Sequence, residues 1–175
     1  MAKPSRPSKP DEAPYYPRTY FVSTATAGRR PLFQAERMAS LFIEVLRSNM
    51  RARRFTIQDF VVMPDHVHIL LTVPGGTSIE KATQLIKGGF SFRARRELGF
   101  QGEVWQRGFS DVRINDDVSF QQHRNYIENN PVKSGLAQSA DRYPFGSAFL
   151  KKQKNAGAEA LTSSSKRGGT TEVVP

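Results

Sequence analysis

Residues 61–74 read VVMPDHVHILLTVP, and this stretch decides the fold. Pro64-Asp65 divides an apolar run in two, the punctuation expected of a turn between strands. Residues 55–63, FTIQDFVVM, enter as one strand; residues 66–73, HVHILLTV, leave as the next and are ended by Pro74-Gly75-Gly76. Successive side chains of a strand point to opposite faces. His66 and His68 therefore share a face with Leu70, while Val67, Ile69 and Leu71 turn the other way into a core. Two of the chain's three histidines stand in a segment that otherwise reads as buried strand.

Working outward, residues 19–26, TYFVSTAT, are rich in β-branched and aromatic side chains and predict a strand. Residues 35–54 carry Met38, Leu41, Phe42, Val45 and Leu46 at helical spacing and end in the basic run RSNMRARR. A second helix is expected over 78–98, with Ile79, Ala82, Leu85 and Ile86 on one side. Gly88-Gly89 inside it costs on the order of 1 kcal/mol per glycine, so a kink or a close neighbour is expected there. Residues 103–114 predict a fourth strand, and Asn115-Asp116 cap a third helix that Pro131 should stop at Asn130. The order β-α-β-β-α-β-α describes an α+β domain. Its first six elements form a ferredoxin-like split βαβ: a four-stranded antiparallel sheet with two helices on one face. The added C-terminal helix carries Tyr126. The domain is expected over 18–150, between a disordered N-terminal arm, 1–17, and a disordered basic tail, 151–175.

Lys and Arg number 26 against 16 acids, a net charge of +10 on 175 residues. An excess of that size favours a polyanionic partner, because each neutralised phosphate releases counterions. No apolar run nears the roughly 18 residues of a membrane span, and the proline-rich start does not resemble a signal peptide. A cytoplasmic, nucleoid-associated protein is expected. Cysteine is absent, which removes disulfides, thiolate catalysis and cysteine-bound zinc.

Imidazoles at i and i+2 stand roughly 6–7 Å apart along a strand, and both can lean toward one ion. The alternative is a pair of half-buried, hydrogen-bonded histidines with no ligand. A metal site needs a third group. There is no third histidine two residues on, and no Asp-His follows, so longer histidine motifs are excluded. On the third helix Tyr126 and Asn130 are four apart and share a face, with Gln122 and His123 beside that stripe. Against the sheet, this helix would deliver a phenol and an amide oxygen to the imidazoles; taken alone, Tyr126 also reads as an ordinary amphipathic tyrosine.

VVMPDHVHILL, then WQRGF (105–109), YIENNPVKSGLA (126–137) and DRYPFGS (141–147) resemble, in order and spacing, the REP-associated tyrosine transposases. These are a branch of the single-tyrosine HUH transposases, which carry an IS200-like transposase domain and act on single-stranded DNA. The resemblance spans about 20–147. It implies that His66, His68 and Asn130 hold a divalent metal, Mg²⁺ or Mn²⁺, and that Tyr126 is the nucleophile. It further implies nicking and rejoining at REP-type hairpins through a 5′-phosphotyrosine, by a monomer or homodimer. Asp65 stands where Asn is usual before the histidine pair, and YPFGS replaces a more usual Tyr-Pro-Trp-Ser-Ser.

The chemistry agrees with the composition. A phenol of pKa about 10 is only about a thousandth ionised at neutral pH, so it needs a neighbouring cation. A covalent intermediate conserves the phosphodiester's energy, and no G-x-x-x-x-G-K-[ST] nucleotide loop is present. Lys133, Arg107, Arg53, Arg54 and Arg95 are candidates for phosphate contacts, and Phe109 for base stacking. Two other readings stand beside the enzyme: a catalytically silent DNA or RNA hairpin binder, and a replication or plasmid-transfer initiator, which usually requires a longer chain.

Overall fold

The computed structural model describes residues 14–165. In chain order its elements are β1 (Arg18–Ala25), α1 (Glu36–Arg51), β2 (Thr56–Val62), β3 (His66–Val73), α2 (Ile79–Leu98), β4 (Ser110–Ile114), α3 (Asp117–Lys133) and α4 (Ser147–Ser165). The sheet runs β2-β3-β1-β4 with every pairing antiparallel. That order is the ferredoxin-like split βαβ expected from the sequence.

Alternation along the strands separates two apolar layers. Tyr20, Val22, Phe60, Val62, Val67, Ile69 and Leu71 face α1 and α2, where Phe33, Phe42, Phe90 and Trp105 pack ring against ring. On the opposite face Val61, Met63 and Leu70 meet Ile127 of α3 and Tyr143. Ile127 is fully buried, a contact that contributes about 1.5–3 kcal/mol to holding α3 on the sheet. His66 and His68 lie on this second face, which α3 covers only in part.

A register shift between Ile57 and Asp59 lets two residues of β2 oppose one of β3. Such a bulge reverses the facing of everything beyond it. Ile57 packs with the α1–α2 layer, yet two residues later Asp59 opens onto the histidine face with Val61. The carboxylate there is almost completely buried.

Three expectations change, and the one for Gly88-Gly89 is met. Residues 103–109 are not continuous strand: Trp105 makes only an isolated bridge to Thr26, and β4 begins at Ser110. The positive φ of Gly108, 73°, breaks the extended run. Pro131 does not stop α3. It lies inside the last turn with its ring buried, so it forfeits one backbone bond while gaining a packing contact. The stop is Gly135, at φ 69°, where Leu136 N–H donates to Pro131 O (2.8 Å) and Gly135 N–H to Val132 O (3.0 Å). This double bond is the Schellman arrangement. α2 is unbroken at Gly88-Gly89; Gly89 lies against Val45 of α1, the close-neighbour alternative.

The third change concerns the tail. Where irregular chain was expected from Lys151, α4 continues to Ser165. Lys, Gln, Ala and Glu are strong helix formers, and the helix is tied down at its start: Lys151 Nζ lies 2.5 Å from Asp59 Oδ1. Residues 166–175 and most of the expected N-terminal arm, 1–13, lie outside the described residues. Pro14–Pro17 run beside the β3–α2 turn, where Gly76 N–H donates to Pro14 O at 3.0 Å. Gly75 must be glycine, since a Cβ there would meet the Tyr15 carbonyl oxygen at 2.0 Å.

Candidate active site

The turn that presents the two histidines is fastened on both sides. Met63 N–H donates to His66 O (2.8 Å), closing the hairpin around Pro64-Asp65. Phe33 N–H donates to Pro64 O (3.0 Å), and Thr26 gives both its N–H (2.9 Å) and its hydroxyl (3.0 Å) to Asp65 O. His66 therefore leaves a rigid corner, and His68 follows two residues into the sheet.

Each imidazole is held by one nitrogen. His66 Nδ1 lies 2.6 Å from Asp65 Oδ1. Ser23 stands directly across the β1–β3 ladder from His68, and its hydroxyl lies 2.5 Å from His68 Nδ1. With Nδ1 of both rings engaged, Nε2 is left for another partner. His68 Nε2 is buried and has no hydrogen-bond partner. The rings meet edge to face, centroids 4.8 Å apart.

Burial, then repulsion from His66 and Arg29, pushes the His68 imidazole down to about 3. The ring is therefore neutral at physiological pH, the form that ligates metals. Asp65 behaves oppositely. Against the upward pull of burial, the hydrogen bond from His66 and the nearby Arg29 hold its carboxyl below the ordinary value. Arg29 Nη1 sits 3.3 Å from Asp65 Oδ2, so the turn carries a cation–carboxylate–imidazole chain.

α3 brings Tyr126 to this corner. Asp116 caps its N-terminus, accepting from Ser119 N–H at 2.7 Å, and Ile127 seats the helix. The Tyr126 ring stands edge-on to His68 with centroids 5.1 Å apart, and Phe21 fills the angle between Tyr126, His68 and His123. Tyr126 remains 46% exposed, so its hydroxyl is open to a substrate. Asn130, half-buried, lies one turn further along α3; its backbone carbonyl accepts from Ser134 N–H. His123 Nδ1 lies 2.8 Å from Ser119 O and so faces its own helix rather than the histidine pair.

The donor set suits a divalent ion. The Asp65 carboxylate and the Ser23 hydroxyl orient the two imidazoles through Nδ1, and His68 has an orphaned buried nitrogen. Among the described residues no group of three or more His, Cys, Asp or Glu gathers into a cage.

A family model described as "Transposase IS200 like" matches residues 15–130. The chain belongs to the IS200-like transposase family. Its relatives narrow the branch. The REP-associated tyrosine transposase of Escherichia coli K12 is 27% identical over 128 residues, covering 73% of this chain and 74% of that protein. A Haemophilus influenzae relative is 29% identical over 96 residues, and this chain spans about half (54%) of its length. A solved structure of a REP-associated tyrosine transposase bound to a REP hairpin aligns over 89% of this chain and 87% of its own, with 25% identity and a TM-score of 0.63.

On this transposase domain the residues expected to contact DNA fall in three places. Arg107 and Phe109 line an open pocket of about 340 Å³ together with Ser23, Arg29, His66, His68 and Gln106. Their loop is pinned from behind: Lys87 Nζ donates to Gln106 O (2.9 Å) and Gly108 O (2.6 Å). Arg53 and Arg54 follow α1, and Arg95 lies in the last turn of α2. Both helices cover the other face of the sheet, so these three are not at the pocket. Lys133 is exposed at the end of α3, two turns beyond Tyr126.

Sequence reasoning missed Ser23, Arg29 and Asp59. Ser23 was legible only through the β1–β3 register. Arg29 follows Gly28 in a short turn where both have positive φ, 63° and 55°, which no apolar pattern announces. Asp59 had a signal: a lone acid inside the apolar strand FTIQDFVV.

Proposed function

We propose that this chain nicks and rejoins single-stranded DNA beside REP-type hairpins through a transient 5′-phosphotyrosine at Tyr126, with Mg²⁺ or Mn²⁺ held by His66, His68 and Asn130. The observation that carries the reading is the Tyr126 ring at 5.1 Å from His68, whose buried Nε2 has no partner. Family membership, and the hairpin-bound relative of the same fold, support the substrate class.

His66 and His68 would be the nitrogen ligands, each fixed by its Nδ1 contact, and the Asn130 amide would add an oxygen. When bound, a divalent ion supplies positive charge to the scissile phosphate and orients the leaving 3′-oxygen. Imidazole ligation suits Mn²⁺ better than Mg²⁺. The residues do the rest. Tyr126 Oη attacks phosphorus, the bond from phosphorus to the 3′-oxygen breaks, and the proton lost by the phenol is balanced by the one gained by the departing 3′-oxygen, which leaves as a hydroxyl. Reversal by a 3′-hydroxyl rejoins the strand with no nucleotide consumed. Phe21, itself packed against His123, walls the tyrosine against the sheet. Arg29 and Arg107 line the pocket as cations for the flanking phosphates, and Phe109 offers a face for base stacking. Contact between Tyr126 and His68 of one chain supports a site assembled in cis.

The test separates cleavage from grip. With a REP hairpin bearing a single-stranded flank, and Mn²⁺, His66→Ala should abolish the denaturation-resistant DNA adduct while leaving hairpin affinity within about threefold. Retained adduct formation in this variant refutes His66 as a ligand.

A further inference from the structure

The buried Asp59 has no part in the chemistry above, yet it is tied to the helix that carries Tyr126. Its Oδ2 lies 3.3 Å from Arg124 Nε of α3, which also pairs with Glu128 at 3.4 Å. Its Oδ1 lies 2.5 Å from Lys151 Nζ and accepts from Ser147 Oγ at 3.0 Å, both at the start of α4. Ser147 Oγ in turn accepts Phe60 N–H at 3.1 Å. One carboxylate, 1% exposed, thus joins the bulged strand β2 to both C-terminal helices. A buried charge is tolerated only when paired, and removing one partner leaves the others uncompensated.

The geometry of α3 gives this junction a task. Ile127 and Pro131 are the buried residues of α3, with partly buried Phe120 packed beside them. The helix therefore meets the sheet along one apolar line, and a polar tie to one side of that line adds to the restraint on its roll. At 3.6 residues per turn, Arg124 and Tyr126 lie roughly 200° apart around the axis. They flank that line on opposite sides, Arg124 over β2 and Tyr126 over β1 and β3. Fixing one sets the other.

We propose that Asp59 is a positioning residue for Tyr126, acting through Arg124 on the roll of α3, and that α4 clamps the same carboxylate through Lys151 and Ser147. The proposal rests on the reading of Tyr126 as nucleophile. It makes the C-terminal helix a control element: whatever lifts α4 weakens the anchor of the tyrosine helix.

Arg124→Gln is the informative variant, because Arg124 is partly exposed and its loss spares the buried carboxylate's contacts to α4. Two readouts are taken. The His68 ring-proton shifts, read by NMR, report the edge-on Tyr126 ring without any turnover; in Arg124→Gln they should move in the direction produced by Tyr126→Ala. Single-turnover adduct formation at saturating hairpin should fall about 10-fold, within the ~100-fold that a 1 Å misplacement can cost, with hairpin Kd unchanged within twofold. Arg124→Lys should restore most of both. In an Asp59→Asn background Arg124→Gln should add nothing further, since the two act as a unit. Unmoved His68 shifts in Arg124→Gln, or effects of the two variants that multiply independently, overturn the proposal. Failure of the unaltered chain to form any adduct speaks against the nucleophile alone, because the NMR arm still decides the positioning.

Discussion

Tyr126 of α3 and His68 of β3 meet edge to face within one chain, their ring planes at 73°. Fifty-eight residues of sequence separate them, and two features close the distance: the Pro64-Asp65 corner that starts β3 and the Ile127 contact that seats α3. The exposed phenol and the buried, neutral imidazole are thereby neighbours before any substrate arrives. Pre-organisation of this kind lowers the cost of reaching reactive geometry.

The Nδ1 contacts should control metal affinity. Asp65→Ala and Ser23→Ala each remove the group that orients one imidazole, and loss of such partners typically costs 10–100-fold in metal affinity. Titration calorimetry with Mn²⁺ should show a drop of about that size for each variant. Affinity equal to that of the unaltered chain would mean that the histidines are not ligands.

Salt should separate the two groups of arginines. Arg107 lines the histidine pocket, whereas Arg95 belongs to the opposite face. Removing one phosphate contact lowers the slope of log affinity against log salt by about 1. Arg107→Ala should do this for hairpin binding and Arg95→Ala should not. Equal effects from both would place the DNA path elsewhere.

The depressed pKa of His68 has a stability consequence in metal-free buffer. Its folded value is about 3 against an ordinary 6.5. Between those values the unfolded chain binds the extra proton and the folded chain does not. Stability therefore falls as pH drops through that window, by up to about 1.4 kcal/mol per pH unit from this group. Urea unfolding in chelator at pH 7, 6, 5 and 4 should show a steeper decline for the unaltered protein than for His68→Gln. Parallel declines would show that His68 is accessible to protons when folded.

The sequence made the sheet readable because its strands are rich in β-branched and aromatic residues and Pro64, Pro74 and Gly75 punctuate them; β3 is found at its expected bounds, 66–73. What misled was local grammar overruled by tertiary contact. Pro131 reads as a stop, yet it is buried against the sheet inside α3. Trp105 reads as strand, but it is drawn into the α1–α2 core and its indole N–H donates to Lys87 O (3.0 Å). The polar stretch after Lys151 reads as tail because no periodicity shows that Asp59, 92 residues earlier, would anchor it. Within the site, His66, His68 and Tyr126 were legible as types at telling spacings. Their hydrogen-bonding partners were not, since Ser23 and Arg29 matter only through strand register and a two-residue positive-φ turn.

The most direct test is to trap the reaction and locate the bond. The unaltered chain is incubated with Mn²⁺ and a REP hairpin carrying a cleavable single-stranded flank, denatured, digested and sequenced by mass spectrometry. The account predicts a 5′-phosphonucleotide on the peptide containing Tyr126, absent in Tyr126→Phe. A DNA-linked peptide from any other residue, or an adduct that survives Tyr126→Phe, would contradict it.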